Sequence, residues 1–244
     1  MTASMCQPAT IMNARTLALA ASALALAPAA SHAAVYSHQW NSGFASTLIP
    51  DGNPTGWSDT RGASIPADET ITDVNVSLQL RGGWNGDLYV ILTHTGSPNA
   101  AVLVNRPGRT ASAPFGYDDS VLTITMDDAA PRGDIHFYRS QPGYAAAISG
   151  NQAWQPDGRA VSPLLVDGTE ARTALLSIFN GTPPADGQWT LFAADLSAGS
   201  QMEVVAWGLT ITTIPEPTTV SLSLAACALL MRRRRPAALG TSHR

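Results

Sequence analysis

From Ile71 onward the chain alternates. Val74, Val76, Leu78 and Leu80 are apolar, and Asp73, Asn75, Ser77 and Gln79 between them are polar. A period of two carried by aliphatic and β-branched residues predicts a strand with one buried face. Gly82-Gly83-Trp84-Asn85-Gly86 follows and reads as a turn, because Gly and Asn accept positive φ. Residues 88–92 are mostly apolar, which predicts a more fully buried strand. Further strands are predicted at 101–105, 121–126, 173–179, 188–196 and 202–212. In the last of these, Val205, Trp207, Leu209 and Ile211 are expected to share one face. Between 34 and 213 no segment sustains a 3.6-residue period, and Gly and Pro punctuate the connections. Many short strands with such turns predict an all-β domain, a jelly-roll-like β-sandwich. Its expected core includes Val76, Leu78, Leu88, Leu191, Trp207 and Leu209.

The two ends break this pattern. Arg15 precedes an unbroken Leu/Ala/Ser run from Leu17 to Ala27, Pro28 ends the run, and Ser31-His32-Ala33 is small-x-small. That combination predicts a secretory signal peptide over 1–33, cleaved between Ala33 and Ala34. The run falls short of the ~20 residues that span a bilayer. At the other end, Ile214-Pro215-Glu216-Pro217 leads into an apolar stretch from 218 to 231 and then Arg232, Arg233, Arg234 and Arg235. The stretch predicts a short C-terminal transmembrane helix, with the arginines held on the cytoplasmic side. The expected organisation is therefore 1–33 signal peptide, 34–213 β-sandwich, 214–235 sorting segment and 236–244 cytoplasmic tail. The chain is expected to cross the inner membrane and to be anchored there by its tail.

Charge and cysteines narrow the functional classes. Residues 34–213 carry eight Arg and no Lys against seventeen Asp and Glu, a net charge of −9. Such a surface repels phosphate backbones, which argues against nucleic-acid binding. Cys6 and Cys227 both fall outside the domain, so neither an internal disulfide nor a thiolate metal site is expected there.

Two stretches resemble known families. Pro215-Glu216-Pro217, the apolar segment and the Arg cluster resemble the PEP-CTERM sorting signal of Gram-negative bacteria that make exopolysaccharide. That resemblance implies processing by a membrane protease, exosortase, so that the anchor is transient and the protein then reaches the cell surface or the extracellular space. Within the domain, Gly86-Asp87-Leu88-Tyr89-Val90-Ile91-Leu92, Phe179-Asn180-Gly181, Gly187-Gln188-Trp189-Thr190-Leu191, Asp195 and Trp207-Gly208-Leu209 are similar to the P domain of kexin and furin-type proprotein convertases. The resemblance covers most of 65–213 and implies a β jelly roll that carries no catalytic residues. It leaves two readings of function. One is a non-catalytic interaction module on an exported surface or matrix protein. The other is an accessory domain that acts with a separate subtilisin-like serine protease.

The candidate chemistry is sparse. His94 is followed by Thr95-Gly96-Ser97, which is not a subtilisin histidine motif, and no Gly-x-Ser-x-Gly elbow occurs. The expectation is therefore that the domain is not an enzyme, with His38, His94 and His136 as strand-edge or loop residues. Asp51, Asn53 and Asp59 share a Gly/Pro-rich stretch and are candidate calcium ligands, with turn capping as the alternative. Asp118-Asp119 and Asp127-Asp128 are weaker oxygen pairs. Of six tryptophans, Trp189 and Trp207 are expected in the core. Trp57, Trp84 and Trp154 are expected in loops, where a ring could stack on a glycan. The expected partners are exosortase, surface polysaccharide or a secreted protease, and the membrane before processing.

Overall fold

The computed structural model describes residues 32–183 and 187–216. Pro217, the Arg232, Arg233, Arg234 and Arg235 cluster, Cys6, Cys227 and nearly all of the expected signal peptide lie outside the described residues. The strands are β1 (Ala34–Trp40), β2 (Trp57–Gly62), β3 (Glu69–Gly82), β4 (Leu88–His94), β5 (Ala100–Asn105), β6 (Val121–Met126), β7 (Gln152–Trp154), β8 (Gln188–Asp195) and β9 (Met202–Pro215). They form a five-stranded sheet, β1-β9-β3-β6-β7, and a four-stranded sheet, β2-β8-β4-β5. The strand pairs are antiparallel except β6–β7. Inward side chains of both sheets merge into one hydrophobic core, in which Val76, Leu78, Leu88, Leu191, Trp207 and Leu209 are all fully buried. The all-β expectation holds.

The alternation that announces β3 and β9 is interrupted by bulges, where one extra residue reverses the inward face. Thr72 is the extra residue between Ile71 and Asp73, and its hydroxyl donates to the Thr212 carbonyl at 3.1 Å. Ile71 and Val74 therefore both face the core although they are three apart. In β9 the register shifts opposite Gln79 and Leu80. Met202 and Val204 before the shift are buried, as are Trp207, Leu209 and Ile211 after it, while Val205 is only half-buried. Val205 thus does not share the face expected of it.

Three strands carry little sequence signal. β1 and β2 are edge strands with alternating half-buried and exposed positions beyond Trp57, and β7 has three residues. Conversely, the strand expected at 173–179 is not one. Leu176–Phe179 form a 3-10 turn whose first free amides, Leu176 and Ser177, donate to the Asp128 carboxylate at 3.0 and 2.8 Å. A side-chain acceptor at that place stabilises a helical turn over an extended run. One short helix, α1 (Tyr144–Ser149), buries Ala147 and Ile148. β9 runs to Pro215, beyond the expected boundary at 213, and Pro215 stands opposite Glu69.

Candidate functional site

The site forms where β4 begins and β8 ends, Leu88 pairing with Asp195. Asn85–Asp87 make a 3-10 turn ahead of β4, overlapping the end of the expected turn at 82–86. Gly86 donates its N–H to the Tyr117 carbonyl at 2.7 Å. A Cβ on Gly86 would lie 2.3 Å from the Phe115 carbonyl, so only glycine lets residues 115–117 approach this closely. The approach brings Phe115 beside Trp84. Both rings project into solvent, at 66% and 45% exposure. Both rings line a cleft of about 230 Å³ together with Asp87, Ser197, Ala198, Gly199 and Ser200.

Behind the cleft the charges are tightly arranged. Arg106 donates from Nε to the Gly86 carbonyl at 2.9 Å, and from Nη2 to Asp87 Oδ1 and Ser197 Oγ, each at 3.3 Å. The Leu196 N–H donates to the Asp87 carbonyl at 2.9 Å. From the other side, Asn53 donates its N–H to the Asp195 carbonyl at 2.9 Å, and Gly199 donates its N–H to the Asp51 carboxylate at 3.1 and 3.2 Å. Asp195 is 1% exposed, and neither carboxylate oxygen has a well-aligned hydrogen bond. Burial pushes its pKa up to about 6, and the charges of Asp87 and Asp51 add to the rise, against the nearby amides of Ser197 and Met202.

The expected calcium set is divided. Asp51 and Asn53 lie against this loop, where the Asn53 side chain accepts from the Thr55 N–H and hydroxyl at 2.9 and 2.8 Å. Asp59 lies within β2 instead, and its Oδ2 accepts from Arg61 Nε at 2.7 Å and Trp207 Nε1 at 2.8 Å. Among the described residues no three His, Cys, Asp or Glu side chains converge closely enough to hold a metal by themselves. Asp119 accepts from the Tyr138 hydroxyl and Arg139 Nε, Asp118 pairs with Arg139, and Asp127 accepts from the Ala129 N–H.

Two of the three expected glycan-facing tryptophans are core residues. Trp57 opens β2, is 6% exposed, donates its indole N–H to the Ser46 carbonyl at 2.6 Å and packs edge-on against Phe44. Trp154 ends β7 fully buried against Tyr138. Only Trp84 offers a free ring. Asp87 and Asp195 were missed as site residues, although both stand at strand ends within the stretches that resemble the P domain. The local signal was there, and their proximity was not.

Two histidines expected at edges or in loops are interior. His94 closes β4, accepts from the Gly96 N–H at 3.2 Å and packs 4.3 Å from Trp189, where burial pushes its pKa down. His136 is fully buried, with Nδ1 2.8 Å from Asp157 Oδ2 and Nε2 2.9 Å from the Arg109 carbonyl. His38 lies on β1 and stacks on Trp40. At the ends of the domain, Ala34 is the first residue of β1, opposite Thr213, and Ala33 is exposed just before it. The Glu216 N–H donates to the Asp68 carbonyl at 2.8 Å, and Thr70 Oγ1 donates to Glu216 Oε1 at 3.3 Å. Among the described residues no helix is long and apolar enough to cross a membrane.

No family model matches the chain, and no curated protein matches it. Among solved structures, one similar chain comes from the crystal structure of the Aeromonas sobria serine protease in complex with its chaperone. The identity is 15% and the TM-score 0.42, over 82% of this chain and 29% of that one. The Aeromonas sobria serine protease is similar at 14% identity and TM-score 0.39, over 74% of this chain and 27% of that one. The chain thus spans less than a third of the length of the solved chains it matches.

Proposed function

We propose that this chain is an exported surface or extracellular-matrix protein, sorted through its Pro-Glu-Pro tail by an exosortase-type protease, whose β-sandwich is a non-catalytic interaction module. The observation that carries the binding role is the Trp84–Phe115 cleft. Two exposed aromatic rings offer apolar faces, and Asp87, Ser197 and Ser200 set hydrogen-bonding groups between them. That combination suits a polyhydroxylated ligand such as a glycan, whose C–H faces stack while its hydroxyls donate to carboxylate and carbonyl oxygens. The non-catalytic reading is supported by the histidines, since His136 has both ring nitrogens occupied inside the core and His94 is sealed against Trp189. Strands that cross repeatedly between the sheets, from β1 to β2, β2 to β3, β3 to β4, β5 to β6, β7 to β8 and β8 to β9, support the jelly-roll reading. The sorting reading rests on the tail sequence.

The test has two arms. The full chain is incubated with the producing organism's surface polysaccharide and secretome. Retention by the polysaccharide that Trp84→Ala weakens by about tenfold or more supports the cleft, and equal retention of both proteins overturns it. Capture of a subtilisin-like protease instead favours the accessory-domain alternative. In cells, replacing Glu216 or deleting Arg232, Arg233, Arg234 and Arg235 should change the protein's size or distribution. No change in either variant removes the sorting reading.

A further inference from the structure

The Trp84–Phe115 cleft is electrically one-sided. Of the residues that line it, only Asp87 carries a formal charge. Arg106 bonds one oxygen of that carboxylate, Oδ1, at 3.3 Å. Arg106 itself is buried, does not line the cleft, and is also committed to the Gly86 carbonyl and Ser197 Oγ. Arg109 is drawn away to the Leu164 and Val166 carbonyls, and Arg139 to Asp118 and Asp119. The Asp51 carboxylate accepts the N–H of Gly199, a lining residue, and so places a second negative charge next to the cleft. Around them the domain carries a net charge of −9. Such a field draws cations toward the cleft and repels anions.

The aromatic rings act in the same direction. The face of a Trp or Phe ring is the negative part of its quadrupole and attracts a cation lying over it. Elsewhere the protein supplies that cation itself. Arg61 lies over Phe44, Arg132 over Trp154, Arg139 over Tyr117 and Tyr144, and Arg159 over Phe137, at 4.8 to 6.0 Å from the ring centroids. Among the described residues no arginine lies over Trp84 or Phe115, and both are exposed. The cleft, at about 230 Å³, is smaller than the ~300–1,000 Å³ that enclose drug-sized ligands, which suits one ring of a longer chain laid across it.

We infer, resting on the glycan reading above, that the cleft selects a glycan bearing free, protonated amino groups. Trp84 and Phe115 take the C–H face of the sugar and its ammonium, and Asp87 is the counter-ion. A neutral sugar uses the ring faces and hydrogen bonds alone. A uronic acid meets the same groups with the wrong sign. The ammonium donates to a carboxylate and lies against two ring faces that lack a cation of their own.

The test measures binding of the full chain to a glucosamine hexamer, its N-acetylated counterpart and hexalysine, by calorimetry near pH 6. Wild type should bind the free-amine hexamer about tenfold or more tighter than the acetylated one. Trp84→Ala should weaken both, and Asp87→Asn should reduce the preference by about fivefold or more. The preference should also vanish above about pH 9, where such amines are neutral. That arm needs no variant and decides the matter if Asp87→Asn does not fold. Equal binding of the two hexamers, lost in Trp84→Ala, keeps the glycan reading and overturns the selection by charge. Hexalysine bound as tightly and lost in the same variant makes this a site for cationic peptides and overturns the inference. So does free-amine binding that survives Trp84→Ala. Absence of free-amine binding at millimolar concentration overturns it too, and the polysaccharide arm above then judges the glycan reading alone.

Discussion

Trp207 on β9 donates its indole N–H to Asp59 on β2 at 2.8 Å, so one hydrogen bond ties the five-stranded sheet to the four-stranded one. Trp207 is fully buried, and the same carboxylate oxygen also accepts from Arg61 Nε. Asp59→Ala leaves a buried N–H without an acceptor and Arg61 without its carboxylate partner, though Arg61 still donates to the Ser42 carbonyl. The expected loss is about 1–3 kcal/mol, read by chemical denaturation. A loss below about 0.5 kcal/mol, the range of ordinary surface substitutions, would mean the link contributes nothing.

His136 has an acceptor on each ring nitrogen, the Asp157 carboxylate and the Arg109 carbonyl. Both bonds can form only when the ring is an imidazolium. Burial works against that charge, but Asp157, through hydrogen bond and charge, and the Arg109 carbonyl outweigh burial and the opposing charge of Arg159, leaving the pKa raised. A raised histidine pKa stabilises the fold fully below the unfolded value of about 6.5, and the gain is lost as pH climbs through the folded value. Stability should therefore fall as pH rises above about 6.5. His136→Leu, which leaves the Asp157 carboxylate only the backbone N–H and guanidinium of Arg159, should cost about 3–5 kcal/mol at pH 6 and flatten that part of the profile. Equilibrium unfolding across the pH range checks both statements.

Asp195 acts in a lower window. Its folded pKa of about 6 stands above the unfolded value near 3.9, so the folded state holds the proton more tightly. Stability should fall as pH rises from about 4 to about 6, with the full cost present above that. Asp195→Asn should remove this decline and stabilise the protein at neutral pH by roughly 1–3 kcal/mol. Denaturant midpoints measured at several pH values decide it. A decline of the same size in the variant would assign the effect to another group.

Gly86→Ala should damage the cleft. The new methyl would lie 2.3 Å from the Phe115 carbonyl and 2.6 Å from the Tyr117 nitrogen, both backbone atoms that cannot rotate aside. Overpacking of this kind costs about 1–3 kcal/mol, and Phe115 must move away from Trp84. A crystal structure of the variant with residues 115–117 unmoved would contradict this.

Trp84→Ala separates binding from folding. The residue is 45% exposed, so stability should change by no more than about 0.5 kcal/mol. A larger drop in melting temperature would make Trp84 a packing residue and remove it from the ligand surface.

Alternation along β3 and β9, the apolar run of β4 and the apolar patterns of β5, β6 and β8 made these strands legible in the sequence, because apolar periodicity is a local consequence of which face is buried. Leu78 and Leu191 needed no knowledge of their neighbours. Val205 did: its face depends on a bulge that exists only in pairing with β3. β1 and β2 are strands because β9 and β8 present free edges to them, and their own patterns barely announce it. The tryptophans divide the same way. Trp57, Trp84 and Trp154 look alike in sequence, each near Gly, Pro, Asn or Asp, yet two are covered and one is exposed, since burial depends on what other segments bring. The acidic site is the clearest case. Asp51, Asp87 and Asp195 come from three distant parts of the chain, and only the packing of their three loops at one end of β4 and β8 lets Asp87 and Asp51 bear on the charge of Asp195. Sequence supplied the residue types and the strand ends, while proximity, and with it electrostatics, is a property of the folded chain alone.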